Sequence, residues 1–475
     1  MVHWKNAAKK FVVSSMVLGT ALLLNACGVV DSGSSSVGSG SSGGGSGGSG
    51  GGATATYLVY TVEGGGLYLV DPANPTQPIK ITDKAVKILN EGFVATLSYS
   101  NMQYKDLHVR AIYYVEGDKG PLMRLSLVKG SSTPKPVQVS NLTDVCNVLH
   151  VGGLVEPNVM LVETVGNDGI CETSSDNGKY IVRTDMDSSS EPINVTGKYL
   201  VTFVYSDDDK VKGAIIKDSN ILKYCDVDLS NCKTLTNVVY VSDIGSDDQN
   251  QKEYLCVDGK VGIFYQSQNS LSLTQVDCNN YVVDNNGRAY NMHYMDDIRY
   301  IYYTDDKDRN IKRLDKNSVE AGWQTIYNGG DIEDIVGMTQ NYLIAYATGM
   351  KLVAIKKEDG SSKTLISDGY VEYSIPTPNR LYFTKYTQDS NGNYIVNACY
   401  WDEVSATPSC DANGTAWIGF SYAVDGTLNY SSYFTVYKLL KVEGSNGLAG
   451  GTLYAVDHSN LNSKIKLGDI PSNFS

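Results

Sequence analysis

A short strand-like run returns along this chain every 40 to 60 residues, and a regular return restricts the fold more than any single motif does. The runs are 67–71, Leu122–Leu125, 181–185, Ile221–Asp226, 271–274, Ile311–Asp315, 352–355, 394–396 and 453–457. From Leu67 to Leu453 there are eight intervals, averaging about 48 residues. Several runs follow a second β-rich stretch, such as Ala111-Ile112-Tyr113-Tyr114, Tyr300-Ile301-Tyr302-Tyr303 or Arg380-Leu381-Tyr382-Phe383, across a polar turn, which is a hairpin signature. Two matches hold over long distances. Leu67, Tyr68, Val70, Asp71, Asn74, Ile79, Lys80 and Asp83 recur at one offset as Leu453, Tyr454, Val456, Asp457, Asn460, Ile465, Lys466 and Asp469. Gly178, Tyr180, Ile181 and Val182 recur as Gly392, Tyr394, Ile395 and Val396.

Hairpin repeats of this length, with few helical stretches, predict an all-β chain folded as a β-propeller of four-stranded blades. The length available predicts about eight blades, with seven to nine compatible. Nine strand signals fit eight blades if the two chain ends share one. A pair of β-sandwich domains is the alternative, but the uniform period and the lack of an internal linker weigh against it. Composition agrees: 34 tyrosines against 8 phenylalanines favour half-buried strands, where an apolar ring packs and a hydroxyl finds a partner.

Ile301-Tyr302-Tyr303-Thr304-Asp305 followed by Ile311-Lys312-Arg313-Leu314-Asp315 resembles one blade of the YWTD-type and related Tyr-rich propellers. Their repeats read aromatic-Tyr-Trp-Thr-Asp and then Ile-x-Arg-x-x-Leu-Asp. Here Tyr303 replaces the tryptophan, and the spacing after the arginine is shorter. Ile112-Tyr113-Tyr114 with Arg124, and Tyr60-Thr61, are weaker echoes. The resemblance implies the fold and no ligand.

The N-terminus carries an address. Lys5, Lys9 and Lys10 precede a mostly apolar run from Phe11 to Leu24, too short to span a bilayer core of roughly 30 Å as a helix. Leu24-Asn25-Ala26-Cys27 resembles the lipobox of bacterial lipoproteins. That implies a signal peptide at 1–26 and Cys27 as the lipid attachment site, carrying acyl chains such as palmitate. Several chains make attachment stable. Gly28, where aspartate commonly signals inner-membrane retention, implies an outer-membrane address in a Gram-negative cell. Between Asp31 and Gly52, 20 of 22 residues are Gly or Ser. Such a coil spans roughly 25 Å on average. Its apparent phosphate-loop and nucleophile-elbow patterns lack the strand and helix those chemistries need. The expected organisation is therefore signal peptide 1–26, lipidated cysteine and flexible tether 27–55, and propeller 56–475.

Charge excludes one class of partner. Removal of residues 1–26 takes away three lysines and no acid, changing the net charge from −13 to −16. Without basic runs, such a chain has no electrostatic footprint for nucleic acid.

Apart from Cys27, the eight cysteines Cys146, Cys171, Cys225, Cys232, Cys256, Cys278, Cys399 and Cys410 form an even set, as in an oxidising compartment. Sequence alone permits 105 pairings. Pairing of chain neighbours is the expectation, because a propeller keeps chain neighbours within one blade or on adjacent strands. The spacings do not match zinc ligand pairs, and no metal or cofactor is expected.

No catalytic constellation converges in the sequence. His108, His150, His293 and His458 are dispersed. The acids Asp207–Asp209, Asp247-Asp248 and Asp305-Asp306 read as solvated turn residues. Asp306-x-Asp308-x-Asn310 opens like a Ca²⁺ loop but lacks its glycine and closing glutamate. Ser174-x-Asp176-x-Gly178-x-Tyr180 is an imperfect, single copy of a sialidase-like Asp-box. Trp417, Tyr422, Tyr430, Tyr433 and Tyr437 form the densest aromatic stretch, mostly as packing between blades, with a minority available to a glycan or protein. These features predict a lipid-anchored cell-envelope protein presenting a propeller as a protein-binding or scaffolding module. The alternative is a surface carbohydrate-binding or carbohydrate-active enzyme. Its partners would be the membrane, through the anchor, and an envelope protein or glycan.

Overall fold

A computed structural model of the chain describes residues 57–469, apart from 62–65, 72–73, 90–110, 127–132, 153–157, 168, 172–176, 185–190, 207–209, 248–249, 279–280, 284–288, 306–307, 377–378, 413, 424–434, 444–450 and 458–459. The signal peptide, Cys27 and the tether lie outside the described residues.

The chain is a β-propeller. Among the described residues nine antiparallel sheets follow one another, seven of four strands, one of five and one of three. We number them as blades: 58–82, 86–138, 145–194, 198–237, 241–277, 281–327, 332–366, 370–410 and 415–469. In every blade, strands adjacent in sequence are adjacent in the sheet, so each blade is a meander. Blade 6 is a four-stranded sheet from Ala289–Asp296 onward, with Tyr281–Val283 added at its edge. The opening strands of blades 4 to 8, counted from Ala289–Asp296 in blade 6, touch their counterparts in the next blade, which places them innermost.

Local chemistry sets the hairpins. Blade 5 turns from Lys252–Val257 into Lys260–Tyr265 through Asp258 (φ 47°) and Gly259 (φ 85°). Two left-handed residues make a turn whose twist matches that of the strands it joins, and Asp-Gly accommodates them cheaply. The strand faces then pack blade on blade. Tyr302 and Ile311 of blade 6 join Ile335, Leu343 and Val353 of blade 7 in one buried cluster. Tyr113, Tyr114, Tyr254, Tyr302 and Tyr382 are almost wholly buried, and the hydroxyl of Tyr254 donates to the Lys316 carbonyl at 3.2 Å. A ring that packs and a hydroxyl that is satisfied explain why tyrosine outnumbers phenylalanine.

The long-range sequence match is a structural repeat. In blade 1 Tyr68 faces Lys80, Leu69 faces Ile79 and Asp71 faces Asn74. In blade 9 Tyr454 faces Lys466, Ala455 faces Ile465 and Asp457 faces Asn460. A register shift follows Leu67 and Leu453 alike. The three strands of blade 1 therefore correspond to the second, third and fourth strands of blade 9. One expectation needs correction. The chain ends do not share one sheet: residues 58–82 make their own backbone ladder, and the strand Asn74–Thr82 packs beside Asn460–Asp469 of blade 9 without joining its sheet. The run 271–274 is part of the outer strand of blade 5, Ser270–Asp277, where Leu273 is half-exposed.

The eight cysteines form four disulfides, Cys146–Cys171, Cys225–Cys232, Cys256–Cys278 and Cys399–Cys410. Each closes a loop within one blade, Cys278 standing one residue past the last strand of blade 5. Cys225 and Cys399 face their partners directly across the third and fourth strands. Closing such loops restricts the unfolded chain, at about 2–4 kcal/mol each. Four disulfides fit a non-cytoplasmic, oxidising environment. Among the described residues, no helix is long and apolar enough to cross a membrane.

Candidate functional site

A meander puts its first and third turns on one face of the propeller. On that face, one position recurs. Gln266, Lys316, Lys357 and Glu403 each follow the third strand of blades 5 to 8. Their backbone N–H groups donate to Gln251, Arg299, Asn341 and Asn379 in the first turn of the same blade, at 2.8–3.0 Å. Three of their side chains reach back one blade. Lys316 Nζ donates to the Ser246 carbonyl of blade 5. Lys357 Nζ donates to Asp297 Oδ2 of blade 6 at 3.1 Å. Glu403 accepts from the Asn341 backbone N–H of blade 7 at 2.9 Å and from its Nδ2 at 2.7 Å.

Between blades 6 and 7 this face holds a cleft of about 510 Å³, within the range of small-ligand sites. Blade 6 contributes its first turn, Asp297 to Tyr300, with Tyr302 and Arg313 from the facing strands Tyr300–Asp305 and Ile311–Asp315. Blade 7 contributes its first turn at Asn341 and its third turn from Lys356 to Glu358.

Asp297 is the polar centre. Its Oδ1 accepts the N–H groups of Arg299 (3.0 Å) and Tyr300 (2.9 Å), which shapes the turn. Its Oδ2 accepts the Tyr302 hydroxyl (2.9 Å) and Lys357 Nζ. Burial alone would raise the pKa of this carboxyl. The Lys357 charge, the two backbone donors and Tyr302 outweigh burial and hold it below the ordinary carboxylate value. Burial and the Asp297 charge raise the Tyr302 phenol, which stays a donor. The neighbouring Asp296 has its own lysine: Lys316, with 2% of its side chain exposed, lies 2.7 Å from Asp296 Oδ2.

The remaining cations differ in their partners. Arg299 donates through Nε (3.1 Å) and Nη2 (2.9 Å) to Asp315. Lys356 pairs with Glu358 at 2.9 Å and Asp359 at 3.6 Å. Arg313 donates Nη1 to the Lys357 carbonyl at 2.6 Å, and its guanidinium lies 4.7 Å from the Tyr300 ring centre. Its Nε is buried without an acceptor, and no carboxylate pairs with it among the described residues.

None of the candidate catalytic, metal or aromatic residues named from sequence is among the residues that line the cleft. His108, His458, Asp207–Asp209, Asp248, Asp306, Ser174, Asp176, Tyr430 and Tyr433 are outside the described residues. His150 sits on the opening strand of blade 3, its ring 5.2 Å from that of Phe203. Asp247 is buried and caps the Asn250 backbone N–H at 3.2 Å. Asp308 pairs with Lys312 at 2.6 Å and caps Asn310, so it serves its own turn. Among the described residues no group of three or more His, Cys, Asp or Glu is placed to hold a metal. Trp417 is core: its indole N–H donates to the Cys399 carbonyl at 2.9 Å, and its ring packs edge-on against Tyr382. Sequence reasoning missed the cleft, although the blade resembling the YWTD-type repeat contains Tyr302 and Arg313.

No family model matches the chain, and no curated protein matches it. Solved structures similar to it include apo AztD from Citrobacter koseri, at 10% identity and TM-score 0.38, over 80% of this chain and 96% of that one. A eukaryotic initiation factor matches at 10% identity and TM-score 0.44, over 85% and 94%. The computationally designed Ika8 protein matches at 9% identity and TM-score 0.38, over 72% and 98%.

Proposed function

We propose that this chain is a lipid-anchored cell-envelope protein, attached through Cys27 to the outer membrane, that presents its propeller as a protein-binding or scaffolding module. The lipobox resemblance and the Gly/Ser tether support the address, and the four disulfides are compatible with it. One observation carries the choice of binding over catalysis. Each carboxylate lining the cleft is held by a lysine, Asp297 by Lys357 and Glu358 by Lys356. Asp297 also accepts three further hydrogen bonds and is kept ionised, which suits it to fixing a turn and not to donating a proton.

The test is in-cell photo-crosslinking of the full-length chain through a reactive residue at exposed Gln340, beside the cleft, with mass spectrometry of the products. A reproducible envelope partner is the expected result. Turnover of a defined saccharide that disappears on substitution of this face would replace the binding reading with the carbohydrate-active one.

A further inference from the structure

We propose that the cleft between blades 6 and 7 binds a ligand through a carboxylate seated on Arg313. This rests on reading the cleft as a binding site and adds the chemistry of what enters it. Charge balance in a strongly acidic chain singles out Arg313. Arg299, Lys356 and Lys357 each have a carboxylate within 3.1 Å. Among the described residues Arg313 has only the Lys357 carbonyl and the Tyr300 ring. Both contacts orient a guanidinium and neither neutralises it. The recurring position after the third strand holds Lys357 in place, so the carbonyl that fixes Arg313 is itself anchored by the contact between blades.

The charge count sets the ligand's valence. One uncompensated cation matches one negative charge. A dianionic phosphate would bring a second charge close to Asp297, Glu358, Asp315 and Asp359, with no unpaired cation lining the cleft to meet it among the described residues. A planar carboxylate also suits the guanidinium's donor geometry. The volume leaves room for a body about the size of a monosaccharide or amino acid beside Tyr300 and Tyr302. A uronic acid and a free amino-acid or peptide carboxylate share this chemistry, and the experiment separates them.

Calorimetric titration of the detergent-solubilised full-length protein would compare D-glucuronate, D-glucose, glucose 6-phosphate and N-acetylglycine. Saturable binding of glucuronate without binding of glucose is expected, weakening as salt rises. Arg313→Gln should weaken binding by about tenfold or more, Arg313→Lys by less, and Lys464→Gln, on blade 9, should leave it unchanged. Binding of N-acetylglycine alone, with the same Arg313 dependence, would assign the carboxylate to an amino-acid source. The proposal is overturned if glucose binds as well as glucuronate, if glucose 6-phosphate binds tighter, or if no carboxylate binds. Retention of full affinity by Arg313→Gln would also overturn it. The wild-type comparisons decide the matter even if that variant does not fold. A crosslinked partner with no carboxylate affinity would leave the binding module standing and remove this inference alone.

Discussion

Lys357 of blade 7 and Asp297 of blade 6 are 60 residues apart in sequence, and their charged atoms are 3.1 Å apart. Both side chains are close to nine-tenths buried. The pair joins two blades at the floor of the cleft, so its loss should affect both stability and binding. Asp297→Asn leaves a buried lysine without its counter-charge and should cost about 3–5 kcal/mol near pH 7. Adding Lys357→Met should restore part of the loss. Chemical denaturation of the two single variants and the double variant measures this directly.

The same pair predicts a pH dependence. The folded-state pKa of Asp297 is depressed, so its stabilising contribution is present above the unfolded-state value, near 4, and is lost as pH falls through the folded value. The stability gap between wild type and Asp297→Asn should therefore be constant from pH 7 to about 5 and close below about 4. Denaturation midpoints across that range provide the check.

Gly360 ties the third turn of blade 7 to the outer strand of blade 6. Its φ is +72°, and an added Cβ would lie 1.6 Å from the Ile326 carbonyl oxygen. Gly360→Val meets both backbone strain and a clash that no side-chain rotation relieves. It should destabilise by about 2 kcal/mol or more, seen as a lower melting temperature with the disulfides intact.

Trp417 is 1% exposed and packs against Tyr382 of blade 8. Trp417→Ala should cost about 3–5 kcal/mol. Trp417→Phe should cost less, keeping a ring and losing the hydrogen bond to the Cys399 carbonyl. If Trp417 were instead a ligand platform, both substitutions would alter binding while leaving the unfolding midpoint unchanged.

The fold was legible because its signals are local. Alternating strands, turn residues such as Asp258-Gly259 and the recurrence of Leu67-Tyr68 as Leu453-Tyr454 each speak within one or two hairpins. Leu271-Ser272-Leu273 lies on a strand as its alternation predicts, but alternation does not tell which position a strand takes in the sheet. The cleft was not legible. Asp297 meets Lys357, and Glu403 meets Asn341, only after blades are stacked, and nothing in 60 residues of intervening chain marks these partners. Tyr302 and Arg313 did stand out, but as repeat positions. Their place beside the first and third turns of blade 7 is a product of assembly.

Presentation at the envelope through Cys27 is the central claim to test. Metabolic labelling with a palmitate analogue, followed by membrane fractionation, should find wild-type protein labelled and in the outer-membrane fraction. Cys27→Ser should be unlabelled and released from it. Wild-type protein that carries no label, or a Cys27→Ser variant that stays membrane-bound, would contradict it.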